Sequence, residues 1–206
     1  MIESILILTA SILLWGAVHS LLASAYVKER ARRLFGQSAD RWYRLLYVFL
    51  SIVTLLPVLA LLAVLPVKSL YVVPAPWKWA MRSVQGFALV GLAVAFWETG
   101  PFDFLGLAQL HPARQIGSAP LSIRGLHCRV RHPLYTLSIL LIWMAPTMTV
   151  NWFITYLFAT LYLYIGSMHE ETRLVAEYGQ AYVDYQKQVP RLLPRPGRCY
   201  PPASSS

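Results

Sequence analysis

Charge is what this chain has least of: 13% of its 206 residues are charged, and only nine are acidic. Average globular domains carry about a quarter charged residues, so an ordinary soluble fold is excluded. Cysteine is almost absent too. Cys128 and Cys199 give neither a disulfide framework nor the spacing of a metal pair, and both are expected to be reduced and incidental. No basic helix, zinc spacing or basic-aromatic strand is expected from the sequence, so the net charge of +9 does not point to nucleic acid. The first apolar run also lacks a basic segment ahead of it. Although Ala23-Ser24-Ala25 mimics a cleavage site, that run therefore reads as a retained helix.

What is present is hydrophobic residues, 57% of the chain, gathered in blocks. The expectation is an integral membrane protein. Met1 to Val27 is apolar apart from Glu3, His19 and scattered hydroxyls, and it runs into Lys28-Glu29-Arg30-Ala31-Arg32-Arg33. His19 is either a ligand or proton carrier, or an imidazole hydrogen-bonded between helices near the interface; the second is the preferred reading. The loop from Lys28 to Arg44 holds six basic residues, with Trp42, Tyr43 and Tyr47 near its end. Such a mix marks a cytoplasmic interface. Leu45 to Val67, with Pro57 inside it, and Ala80 to Trp97 supply two further helices, joined by an external aromatic connection from Lys68 to Trp79.

Glu98 to Arg131 is a long polar connection containing Asp103, Gly106, Gln109 and His111. Glu98 and Asp103 stand where the third helix leaves the membrane, and either can face a substrate or serve a helix end; capping or pairing is the preferred role for Glu98. Leu134 to Ala145 offers about 18 Å of helix against a hydrocarbon core of roughly 30 Å. With the turn-like Pro146-Thr147-Met148-Thr149 and the returning Val150 to Met168, it reads as a hairpin open on one side. That geometry brings Arg131-His132 close to Glu170-Glu171. Basic residues number six in the first loop, four between Glu98 and Arg131, and five after Met168, against Lys68 and Lys78 opposite. This favours five spans with the N-terminus outside and the C-terminus inside.

A further helix is expected from Met168 to Gln186, where 3.6-residue periodicity puts Glu171, Leu174, Tyr178, Tyr182 and Tyr185 on one stripe. Gly179 leaves open a break into two short helices. Val189-Pro190-Arg191-Leu192-Leu193-Pro194 cannot continue a helix and should be extended, laying Arg191 over the site. Residues 195–206 read as a disordered tail.

The ordered set Arg131-His132-Pro133-x-Tyr135, apolar hairpin, Glu170-Glu171-x-x-Leu174, Tyr178-Gly179, Tyr182, Tyr185 and Val189-Pro190-Arg191 resembles the isoprenylcysteine carboxyl methyltransferase family of membrane enzymes. Phe102-Asp103-Phe104-x-Gly106-Leu107-x-Gln109 and Pro146-Thr147-Met148-Thr149 look like its branch that includes methanethiol S-methyltransferase. His19-Ser20 and Arg41-Trp42-Tyr43-Arg44 are also similar to nitric-oxide-reduction associated membrane proteins. One departure is Leu137, where the family usually has a glycine; its bulk is expected to narrow the hairpin or reshape an acceptor channel.

The resemblance implies S-adenosylmethionine as methyl donor and a small apolar or lipid-like acceptor, a thiol sulfur favoured over a prenylcysteine carboxylate. Glu170 or Glu171 would take the ammonium or ribose, Arg131 or Arg191 the carboxylate, and His132 with Tyr135, Tyr178, Tyr182 and Tyr185 would flank the base. Glu171 and Asp103 are the candidate catalytic carboxylates, and no metal is expected. The resulting expectation is an all-α integral membrane protein with five transmembrane helices, including a C-terminal hairpin, and a cytoplasmic C-terminal helix. Residues 1–97 would form a three-helix membrane region and 98–194 the cofactor-binding core, in a bacterial inner membrane with membrane lipid as a partner. Two alternatives stay open: an accessory factor handling metal or haem through His19, His111, His127, His132 and His169, or a reductase using NADPH.

Overall fold

The structure, a computed structural model, describes residues 2–66, 68–105, 107, 121, 123–194 and 199, without the side chains of 37, 38, 40, 41, 103 and 104. Eight α-helices, one 3-10 turn and two short strands make up the described chain: α1 (Ile2–Ala23), α2 (Ala25–Phe35), α3 (Gln37–Val64), β1 (Ser69–Val72), α4 (Trp77–Thr99), α5 (Pro101–Leu105), the 3-10 turn Gly125–Cys128, α6 (Pro133–Trp143), β2 (Thr147–Thr149), α7 (Val150–Tyr178) and α8 (Gln180–Gln188). Among the described residues, three stretches are long and apolar enough to cross a membrane: Ile2–Ala23, Trp42–Val64 and Trp77–Thr99. Large apolar side chains such as Leu14, Phe49, Phe87 and Val90 stand exposed along them. That is the exposure expected of an integral membrane protein whose outer solvent is lipid. α6 is apolar but shorter.

Two compact units divide the chain, and they interleave in sequence. In the first, Leu8, Val58 and Leu62 bury against one another, with Ile12, Trp15 and Leu55 packed around them, so α1 and α3 share an apolar seam. Polar groups on this pair find partners across it. Trp15 Nε1 donates to the Ser51 carbonyl at 3.3 Å, and His19 Nε2 lies 2.5 Å from the Tyr47 hydroxyl with the Trp15 ring stacked on its imidazole. His19 is thus hydrogen-bonded between helices. The basic stretch expected as a loop is helical instead: Ser24 breaks the chain and caps α2, its Oγ accepting from Val27 N at 3.3 Å. Lys28, Arg30, Arg32 and Arg33 then take the polar face of an amphipathic helix. Helix propensity of this Ala-Lys-Glu-Arg mix outweighs its polarity.

The turn expected at Pro146 to Thr149 includes a strand. β2 pairs antiparallel with β1, Ser69 opposite Thr149 and Val72 opposite Thr147, and Met148 is fully buried there. Three β-prone residues were too few to signal a strand without the partner that satisfies their backbone groups.

In the second unit, α4 and α6 pack together. Gln85 Nε2 donates to the Leu141 carbonyl at 3.0 Å, and Gly91 leaves room for Leu137, whose Cδ1 lies 3.0 Å from where a Cβ on Gly91 would be. The bulk of Leu137 is therefore matched by a glycine on the facing helix. Trp143 Nε1 donates to Thr160 Oγ1 at 2.8 Å, joining α6 to the returning α7. α7 does not end at Met168 but runs on to Tyr178, so the expected hairpin arm and the first part of the polar helix are one element. Gly179, at φ 58°, separates it from α8.

Candidate active site

Pro133 begins α6 at its first turn, where a missing N–H costs nothing, and His132 is the residue just outside it. The residues after α8, expected to be extended, instead bend at Val189 and from Arg191 to Leu193, and they run alongside. Arg131 N donates to the Pro190 carbonyl at 2.9 Å and His132 N to the Arg191 carbonyl at 3.2 Å. Thr136 Oγ1 adds a bond to the Leu192 carbonyl at 2.6 Å. Proline at 190 suits this arrangement, since the chain there uses only its carbonyl. Arg191 is thereby laid over the start of α6.

Glu171, 3% exposed, is the hub. It accepts from Arg131 Nε at 2.7 Å and Arg191 Nη2 at 2.8 Å. Gln186 Nε2 lies 3.0 Å and His132 Nε2 3.1 Å from its oxygens. Burial alone would raise this carboxyl, but the hydrogen bonds and charges of Arg191 and Arg131 outweigh it and hold it at about 2. Arg131 also donates through Nη1 to the Gln186 carbonyl at 2.7 Å and to the Val189 carbonyl, closing the C-terminal end of α8. Glu170 stands beside the hub with its side chain 36% exposed. Its Oε2 accepts from the Tyr135 hydroxyl at 2.9 Å and lies 3.5 Å from His132 Nδ1. Burial pushes Glu170 up, but contacts with His132 and Tyr135 prevail and leave it below the usual carboxylate range. The His132 ring stands between the two glutamates, stacked on Tyr135 with centroids 5.2 Å apart.

The tyrosines divide. Tyr182 and Tyr185 are buried with Val189, and Leu174, Val175 and Tyr178 pack against them, so the inward stripe survives the break at Gly179. Burial raises both buried phenols, and Tyr185 donates to the His127 carbonyl at 2.5 Å. Burial and then the neighbouring Glu177 raise the Tyr178 phenol as well. Glu98, read as a cap or pairing group, accepts from Leu126 N at 3.0 Å at the start of the 3-10 turn and lies 3.9 Å from His127 Nδ1. Gly125 admits that carboxylate: its φ is +55°, and a Cβ there would sit 1.7 Å from Glu98 Oε1. No sequence signal marked Gly125 or Gln186. Asp103 lies in α5, but its side chain, together with Gly106, Gln109, His111 and the tail from residue 195 apart from Cys199, is outside the described residues. The two cysteines are not independent as expected. Cys128 and Cys199 are joined in a disulfide across 71 residues of sequence, a pairing that only the fold produces. Among the described residues, no group of three or more His, Cys, Asp or Glu could hold a metal ion.

Two cavities flank Arg191. One, about 330 Å³, is lined by Met168, Glu171, Thr172, Val175, Gln186 and Arg191. The other, about 490 Å³, is walled by Thr136 and Ile139 of α6, Tyr164 of α7, and Leu192 and Leu193, with Arg131 and Arg191 at its edge. Arg191 Nε is buried and has no hydrogen-bond partner among the described residues. The orphaned guanidinium donor of Arg191 and the partly exposed carboxylate of Glu170, linked through Glu171 and His132, suit a ligand with a carboxylate and an ammonium.

Comparison with known proteins finds several relatives with one name. A methanethiol S-methyltransferase of Pseudomonas sp. is 31% identical over 193 residues, covering 89% of this chain and 71% of that protein. Methanethiol S-methyltransferase 2 of Bradyrhizobium diazoefficiens is 32% identical over 134 residues, 60% of this chain and 51% of its own length. The enzyme of Pseudomonas deceptionensis is 36% identical over 110 residues, 50% of this chain and 40% of its own. The chain thus spans about half, or less, of the length of the latter two. No family model matches the chain, and no solved structure matches it.

Proposed function

Because this chain belongs to the family of membrane methyltransferases that includes the methanethiol S-methyltransferases, we propose that it transfers a methyl group from S-adenosylmethionine to the sulfur of a small thiol. The observation that carries the reading is the polar cluster itself. Segments 131–135, 170–171 and 186–191 converge on one buried carboxylate, leaving Arg191 Nε without a partner among the described residues and Glu170 partly open. A purely structural ion pair gives no reason for either loose end.

In this reading Arg191 takes the donor's carboxylate, Glu170 its ammonium, and the stacked His132 and Tyr135 rings offer a flat face to its adenine. When bound, S-adenosylmethionine supplies a methyl group already activated on a sulfonium sulfur. The chain's own task is alignment and exclusion of water, which carry most of the rate in an in-line displacement. Glu171, depressed to about 2, is a poor proton acceptor near neutral pH, and its proposed role is to fix both guanidinium groups. Arg131 and Arg191 favour an incoming sulfur as thiolate, since a nearby cation lowers a thiol pKa. The thiol's proton is lost to solvent, and Asp103 is proposed to take it up from there. We place α6 and the part of α7 up to Met168 as a fourth and fifth span, with the site on the cytoplasmic side of a bacterial inner membrane and the N-terminus outside.

Purified protein given S-adenosylmethionine and methanethiol should release dimethyl sulfide, measured by headspace gas chromatography. A folded, donor-binding preparation that forms no methylated thiol would overturn the acceptor assignment. Neither the accessory-factor nor the reductase reading gains support from the site.

A further inference from the structure

We propose that the 490 Å³ cleft between α6, α7 and the Leu192-Leu193 segment is the acceptor site, and that it takes apolar thiols considerably longer than methanethiol. The inference rests on the methyltransferase reading. Methyl transfer needs two ligands in contact, and the two cavities share one wall, Arg191. The smaller is lined by Glu171, Thr172, Gln186 and Arg191, which suits the carboxylate end of the donor, the part assigned to Arg191. The larger is walled by Ile139, Tyr164, Leu192 and Leu193, and among the described residues the two arginines are the charged ones that line it. Apolar walls ending on two cations match an alkyl thiolate, with its chain along the walls and its sulfur at the guanidinium end.

Size separates this from a site built for methanethiol. The cleft offers about 490 Å³ along an open apolar wall, whereas methanethiol has only two heavy atoms to place against it. A chain of about six to ten carbons fills it better. Its open side agrees: Leu193 is 82% and Tyr164 48% exposed, so an acceptor dissolved in lipid can enter sideways. The backbone is braced there, because Thr136 Oγ1 holds the Leu192 carbonyl at 2.6 Å. In the step itself the thiolate sulfur bonds to the methyl carbon as the bond from that carbon to the donor's sulfonium sulfur breaks. The electron pair goes to the donor, which leaves as a neutral thioether, and the acceptor's proton goes to solvent.

Each buried methylene should raise kcat/KM about threefold to fourfold until the cleft is full. The test compares hexanethiol with methanethiol in wild type, Ile139→Trp, which fills the cleft, and Ile139→Ala, which enlarges it. We expect hexanethiol to be favoured at least tenfold by wild type, with that preference falling at least tenfold in Ile139→Trp and retained or increased in Ile139→Ala. Comparing ratios between variants cancels partition of the longer thiol into lipid. A second readout needs no donor: hexyl methyl sulfide should raise the unfolding midpoint of wild type more than that of Ile139→Trp. A wild-type preference near one, or preferences and midpoint shifts alike in all three proteins, overturns the assignment. Failure of the methyltransferase reading looks different, with no turnover of either thiol and no binding of S-adenosylmethionine.

Discussion

Replacing Glu171 with glutamine removes the one negative charge on which Arg131, Arg191 and His132 converge. The carboxyl sits at about 2 against an ordinary 4.5. At about 1.4 kcal/mol per tenfold change in proton affinity, its ionised form is worth roughly 3 kcal/mol to the folded site. Glutamine offers one accepting oxygen, and its amide hydrogens face the remaining donors. Breaking a buried pair by neutralising one partner costs a similar amount, about 3–5 kcal/mol. The loss should be local, because the bonds of Glu171 tie α7 only to the segment from Arg131 and to α8 with its extension. Residues 180–194 would open while the packing of α1 against α3 stays intact. Limited trypsin digestion, with fragments assigned by mass spectrometry, reads this directly: cleavage after Lys187 and Arg191 should accelerate at least tenfold, and S-adenosylmethionine affinity should fall at least as far. Wild-type proteolysis and affinity in Glu171→Gln would refute the idea that this carboxylate organises the site.

Three other outcomes follow from the same geometry. A carboxyl depressed when folded stabilises fully above its ordinary 4.5 and loses that contribution as the pH falls toward 2; hydrogen exchange of residues 180–194, corrected for intrinsic rates, should therefore rise between pH 5 and pH 3. Gly125→Ala must adopt a left-handed φ, costing about 1–2 kcal/mol, and also strikes Glu98; Glu98→Ala in the same chain should recover only the second part, seen as partial return of the thermal midpoint. Arg191→Lys keeps the charge but cannot hold Glu171 and also present the free Nε donor; donor affinity should drop at least tenfold by calorimetry, with less opening to trypsin than in Glu171→Gln.

The sequence was most informative where local chemistry leaves little choice. Val189-Pro190-Arg191 could not continue a helix, and α8 does stop at Gln188; the segment beyond is bent at Val189 and again from Arg191 to Leu193 rather than extended throughout. Glu171, Tyr182 and Tyr185 shared a stripe, and all three are buried. Glycine at 179 carried the option of a break, which its positive φ realises. Long-range pairing was out of reach. Nothing local says that the backbone of Arg131 bonds to that of Pro190, that β1 finds β2, or that Cys128 meets Cys199. Nor could a departure such as Leu137 be judged alone, since its space comes from Gly91, 46 positions earlier on another helix. The basic stretch of α2 failed differently: its charge density read as loop, while its periodicity and the Ser24 cap made a helix.

Calorimetric titration of the folded, detergent-purified protein with S-adenosylmethionine, and with its demethylated product, tests the central claim most directly. The arrangement of Glu170, Arg191, His132 and Tyr135 predicts saturable one-to-one binding of both ligands, weakened in Arg191→Lys. No heat and no displacement by either ligand, from a preparation whose residues 180–194 resist trypsin, would contradict it.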